Sequence, residues 1–137
     1  MGQIEGTNRD QLQVRSLDEM VGDKSIVRVI DRFIDAVDLK AMGFTRVESA
    51  ATGRSGYGCS GLTKLYVYGF GNGVRTGRKL QRETEVNVEA MWLMEGLTPS
   101  YKTICEFRRQ NIRPLQKLFR EFVKLCKSWE QIGRASC

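Results

Sequence analysis

A chain of 137 residues with 41% hydrophobic and 28% charged side chains has the make-up of one globular domain, able to bury roughly two thirds of its unfolded surface without covalent staples. It contains no histidine, and Cys59, Cys105, Cys126 and Cys137 show no C-x-x-C spacing, which argues against a zinc site or a disulfide framework. The sequence has no hydrophobic signal core at its start and no apolar run near the roughly 20 residues that span a bilayer, so it reads as a soluble cytoplasmic chain with reduced thiols, Cys105 and Cys126 packing as small apolar side chains.

The net charge of +6 is unevenly spread: residues 1–50 carry 7 basic and 9 acidic side chains, residues 51–99 carry 6 and 4, and residues 100–137 carry 9 and 3. A basic excess gathered toward one end points to a polyanion-facing surface more than a uniform excess would. Only two prolines interrupt long stretches of helical apolar spacing, and the pattern predicts a compact all-α domain of about six helices.

Residues 1–14 are polar and aperiodic and read as an N-terminal arm, ahead of a helical domain over 15–128 and a tail over 129–137. Ser16 followed by Leu17, Asp18 and Glu19 has the form of a capped short helix. Ser25 opens an amphipathic helix with Ile26, Val27, Val29, Ile30, Phe33, Ile34 and Val37 on one face. Arg28, Asp31, Arg32, Asp35 and Asp38 cover the other, where Arg28–Asp31 and Arg32–Asp35 are expected as weak surface pairs. Leu39, Met42 and Phe44 carry the apolar signal past a turn at Gly43. Residues 45–61 hold four glycines and read as a loop anchored by Tyr57, with Ser60 as the expected cap of the next helix.

The segment from Leu62 to Trp92 is the most informative. Leu62, Leu65, Tyr66 and Phe70 recur at helical steps and predict one buried face. Gly69, Gly71 and Gly73 should end or bend this helix before Thr76 caps the next. At about 100° per residue Arg75, Arg78, Lys79 and Arg82 fall within about a third of a helix circumference, a cationic stripe suited to a phosphate backbone. Helix, glycine turn and basic helix over residues 61–87 form a helix-turn-helix-like pair. A nucleotide-binding P-loop does not fit, because Gly71 and Gly77 are separated by five residues, Arg78 stands in place of the lysine and no strand precedes them.

Val88, Met91, Trp92 and Leu93 form an apolar patch that should dock the basic helix on the core, with Trp92, Phe33, Tyr66 and Phe119 expected to be buried together. A turn over residues 97–100 precedes a helix opened by Thr103. Pro114 suits the first turn of the last helix, whose apolar face is Leu115, Leu118, Phe119, Phe122, Val123, Leu125 and Cys126. Arg108, Arg109 and Arg113 make a second cationic cluster at the junction before that helix, and Lys117, Arg120, Lys124 and Lys127 line its polar face.

The runs GTNRDQ, SLDEMV, VRVIDRFIDAVDLKAMGF, TGRSGY, LTKLYVYGF, VRTGRKLQRE, NVEAMWL, LTPSYKTICEFRRQN and LFREFVKLC, in this order, closely resemble the InsH-like N-terminal domain of bacterial insertion-sequence transposases of the DDE class. The resemblance covers about residues 6–127. The sequence departs from that pattern at Gly53-Arg54-Ser55 and Tyr57-Gly58-Cys59, where prolines are usual, and at Thr76-Gly77, where paired serines usually precede the arginine. These changes are expected to loosen the loop and the cap of the basic helix.

The resemblance implies DNA transposition, with transposon ends as partner and a homodimer through transposase assembly. It also implies an intact enzyme in which three carboxylates hold two Mg²⁺ ions. The first of those aspartates would be expected shortly after Cys126, and no such segment follows, so no cofactor is expected on this fragment. The tail from Ile132 reads as translated sequencing-adapter DNA, a frame that ran off a contig end. Two functions are therefore weighed: a DNA-binding or positioning domain without catalysis of its own, and a helical domain that packs on the catalytic domain or pairs protomers.

Overall fold

The computed structural model describes residues 9–12, 14–44 and 58–135, with side chains through residue 128. Seven helices follow one another: α1 Leu17–Met20, α2 Ile26–Ala36, α3 Cys59–Asn72, α4 Gly77–Val86, α5 Val88–Leu93, α6 Tyr101–Gln110 and α7 Ile112–Ala135. No strand occurs among the described residues, so the all-α reading stands with one helix more than expected. The arm within residues 1–8 and the loop with Tyr57 and Arg54 lie outside the described residues. Helix α7 runs without a break across residue 128, the boundary anticipated between domain and tail.

Several caps are where local chemistry puts them. Ser16 Oγ accepts from the Glu19 N–H, Ser25 Oγ from the Val27 N–H and Thr76 Oγ1 from the Lys79 N–H, each satisfying a donor the first helical turn leaves unpaired. Two expected starts move. Helix α3 begins at Cys59 behind Gly58, which makes no side-chain cap, so Ser60 lies inside the helix. Helix α6 is capped by Ser100, whose Oγ accepts from the Thr103 N–H, and starts at Tyr101, two residues before Thr103.

Helix α3 is the centre of the fold, packed against α2, α4, α5 and α7. The expected single apolar face is corrected here: every residue from Leu62 to Gly69 is buried, so the helix is enclosed all round over this stretch. Its polar residues are satisfied within the protein. Thr63 Oγ1 donates to the Cys59 carbonyl at 2.7 Å. Lys64, a residue only 8% exposed, sets its ammonium 2.7 Å from Asp31 and 2.9 Å from Asp35 on α2. The expected surface pairs on α2 are therefore replaced. Asp31 and Asp35 serve a lysine of another helix, and Arg28 turns back to Asp18 at 2.9 Å and to the carbonyls of Asp18, Val21 and Gly22. Arg28 thus holds α1 against the start of α2.

The anticipated cluster of Trp92, Phe33, Tyr66 and Phe119 does not exist as one group. Tyr66 is buried, whereas the other three are partly buried and pack at the edge of the core. Trp92 donates its indole N–H to Asp18 at 3.1 Å and lies beneath the Arg28 guanidinium, 4.9 Å from the ring centroid. It needs a polar partner for that N–H, and the α1–α2 corner provides one. Phe33 pairs with Phe122 instead. Of the cysteines, Cys126 packs half-buried against the core as expected, whereas Cys105 is exposed and the buried thiol is Cys59.

At the end of α3, Gly73 is left-handed (φ +72°) and the N–H groups of Gly73 and Val74 both reach the Gly69 carbonyl. This is the hydrogen-bonding pattern by which glycine closes a helix. Gly69 is needed for another reason. A Cβ there would lie 2.6 Å from the Val74 carbonyl oxygen and 2.7 Å from Leu80 Cδ2, so α4 can fold back only over a bare backbone. Gly69→Ala is expected to destabilise by about 1–3 kcal/mol despite alanine's helix preference of roughly 1 kcal/mol. A thermal melt superimposable on wild type would show that the turn opens freely and would remove this explanation.

Candidate nucleic-acid interface

Helix α4 turns Leu80 and Thr84 into the core and leaves Arg78, Lys79 and Arg82 exposed. The expected four-residue helical stripe is therefore three residues long. Arg75 is exposed but lies in the connection between α3 and α4, because the left-handed Gly73 ends α3 and Thr76 caps α4 only after it.

Close contact with α6 fixes α4 in place. Gln81 Oε1 accepts from the Tyr101 N–H at 2.8 Å, which satisfies one of the open donors at the start of α6. The Arg78 guanidinium lies over the Tyr101 ring, 4.3 Å from its centroid. At Gly77 a Cβ would come within 2.5 Å of Cys105 Sγ and 3.2 Å of the Tyr101 carbonyl oxygen. The Thr76-Gly77 departure thus does not loosen the basic helix: the threonine makes the cap, and the glycine admits α6 at close range.

Tyr101, Cys105 and Arg108 stand at steps of four and three, one side of α6, and that side faces α4. Arg108 consequently joins Arg75 in lining a cleft of about 370 Å³, with Phe70 and Val74 from the α3 end and Ile112 and Phe119 from α7. Arg109, on the last turn of α6, and Arg113, in the first turn of α7, are exposed outside this lining. Among the described residues none of Arg75, Arg78, Lys79, Arg82, Arg108, Arg109 and Arg113 forms an ion pair. Their charges remain available, unlike those of Arg28 and Lys64.

Two tyrosine hydroxyls of α3, one of them from the cleft residue Tyr66, are locked. Tyr66 donates to the Ile104 carbonyl at 2.7 Å and Tyr68 to Glu83 at 2.8 Å. Burial pushes the ionisation of both phenols up, and for Tyr68 the Glu83 carboxylate adds to it. Both therefore stay neutral donors at physiological pH and tie α3 to α6 and to α4.

The structure also exposes what the apolar pattern conceals. Phe70, assigned to the buried face, is 48% exposed and stacks on Phe119 with centroids 4.5 Å apart and planes within 10°. No period in the sequence marks this pair. Among the described residues no three carboxylates or thiols are grouped as a metal site requires, and Asp31 and Asp35 are engaged by Lys64. No helix among the described residues is long and apolar enough to cross a membrane.

Fold and site together define a helical domain with unpaired cations presented by a turn and three helices. The family described as "Transposase domain (DUF772)" matches residues 15–110, and the chain belongs to that family. The match takes in α1 to α6, including Arg75, Arg78, Lys79, Arg82, Arg108 and Arg109. No curated protein and no solved structure matches the chain.

Proposed function

We propose that this domain binds and positions the DNA ends of a bacterial insertion sequence during transposition in the cytoplasm, contacting duplex through α4 and through the α6–α7 junction. The observation that carries the reading is the convergence of Arg75, ahead of α4, and Arg108, on α6, on one cleft, with Arg78, Lys79 and Arg82 of α4 exposed and in no ion pair. Arginine predominates, which favours forked hydrogen bonds to phosphate or guanine over diffuse attraction.

The test is the salt dependence of affinity for element-end DNA. If Arg75, Arg78, Lys79 and Arg82 neutralise about four phosphates, they contribute about −3.6 to the log–log slope. Changing Arg75, Arg78 and Arg82 together to Gln is expected to flatten the slope by about 2.7 with helicity retained. Wild-type affinity and slope in that variant would sink the reading.

A second reading has the domain pack on the catalytic domain or pair two protomers. The exposed side chains of Phe70 and Ile112 favour it. Affinity between proteins carried by such apolar contact would be comparatively insensitive to salt, so the same titration separates the two.

A further inference from the structure

We infer that the cleft between Arg75 and Arg108 holds one unpaired nucleotide of a DNA end, an inference that rests on the DNA-binding reading and adds the chemical form of the DNA. A surface made only for duplex phosphates needs exposed cations and no apolar recess. Here the recess exists, about 370 Å³ in volume, within the range of clefts that hold small ligands. Its wall carries two phenyl rings stacked nearly parallel, one of them 48% exposed, a flat apolar surface of the kind on which a base stacks. Its two charged lining residues are both arginines, which pair with phosphate through a planar fork. Gln116 adds an exposed amide to the lining, a group able to hydrogen-bond a base edge.

Charge complementarity selects the occupant. It must carry negative charge for the two arginines and a flat apolar face for the rings, as a nucleotide within a strand does. A paired base cannot enter, since its faces are covered by its neighbours, so the cleft calls for a frayed, overhanging or flipped-out nucleotide. Aromatic platforms beside a cationic track are how single strands are bound with little regard to sequence.

The experiment compares the full chain's affinity for a short blunt duplex with that for the same duplex carrying a single-stranded extension of a few nucleotides, at matched salt. The extended DNA is expected to bind roughly tenfold tighter, the effect of about one stacked base. Phe70→Ala is expected to abolish that preference, the loss falling on the extended DNA and much less on the blunt duplex, whose salt slope is set by the cations. Phe70→Leu, which keeps apolar bulk at the helix end and guards against misfolding, should lose most of the preference as well. A 5-iododeoxyuridine in the extension should crosslink to the end of α3 or the start of α7.

Equal affinity for the two DNAs, an equal loss on both in Phe70→Ala, or crosslinks confined to other helices would overturn the inference. Blunt-duplex binding with the expected salt slope but no preference for the extension defeats this inference alone. Absence of binding to either DNA at low salt defeats the DNA reading and this inference with it. Tight binding of an acidic aromatic peptide at the cleft, with no preference for the extension, would assign the recess to a protein partner and likewise overturn it.

Discussion

Phe107→Ala is expected to lower stability by roughly 3–5 kcal/mol, a large share of what a single domain has in reserve. The ring is 3% exposed and is shared by two stacked contacts, with Phe44 at 6.2 Å and Tyr66 at 6.0 Å between centroids. These join α6 to α3 and to the turn after α2. Removing the ring leaves a cavity at the meeting point of three segments that cannot all close on it. Phe107→Leu keeps apolar bulk but neither stack and should lose about 1–2 kcal/mol. Urea unfolding with an unchanged m-value would measure both. Since Phe107 holds the helix that carries Arg108, DNA affinity of the alanine variant should fall even where it remains folded. A variant as stable as wild type would mean that α6 is held by its other contacts, with α4, with α7 and through the Tyr66 hydroxyl.

Much of this architecture could be read from local chemistry. Ser16, Ser25 and Thr76 cap the helices they precede because each has an oxygen placed for an open N–H group. The amphipathic period of α2 buries Val27, Ile30 and Ile34 as its spacing requires. The surroundings of α3 were not legible. Thr63 and Lys64 break its apolar pattern, and nothing near them in sequence shows that Asp31 and Asp35, on α2, complete the lysine's shell. Enclosure of a polar residue is decided by the partner that reaches it, and such partners are tertiary.

The candidate site divides in the same way. Its cations stand out in the sequence because charge needs no fold to be seen. Their grouping was partly misread, since helical projection carried Arg75 into α4 while the left-handed Gly73 keeps it in the connection. The aromatic wall was hidden for a related reason. Helix α3 extends past the core at its last turn, so Phe70 keeps helical phase with Leu62 and Tyr66 but meets Phe119 and solvent. Periodicity reports the direction in which a side chain points. It does not report where the core ends.

The buried lysine gives an asymmetric expectation. Asp31→Ala with Asp35→Ala strands the charge of Lys64, a residue 8% exposed, without its two carboxylates. Removing the partners of a buried charge is strongly destabilising, and the loss here should be on the order of 3 kcal/mol, the lower end of that range because the site opens to water on the Asp35 side. Lys64→Met should stay within about 1 kcal/mol of wild type, since a desolvated charge is exchanged for an apolar chain of similar length. The carboxylates left behind can be hydrated, with side chains 31% and 59% exposed. Burial pulls the pKa of Lys64 down, but the hydrogen bonds to Asp31 and Asp35 and their charges outweigh it, and the net shift is upward. The stabilisation linked to this shift is therefore complete below the unfolded lysine value of about 10.4 and is lost as pH rises through the higher folded value. Tyr66 and Tyr68, whose ionisation is also pushed up, lose stability in the same alkaline window. The diagnostic quantity is consequently the difference between wild type and Lys64→Met in urea unfolding, which should shift against wild type as pH is raised past about 10.4. A difference that stays constant across that window, or a double alanine variant as stable as wild type, would show that the lysine's charge is hydrated and that the two carboxylates do no more than decorate α2.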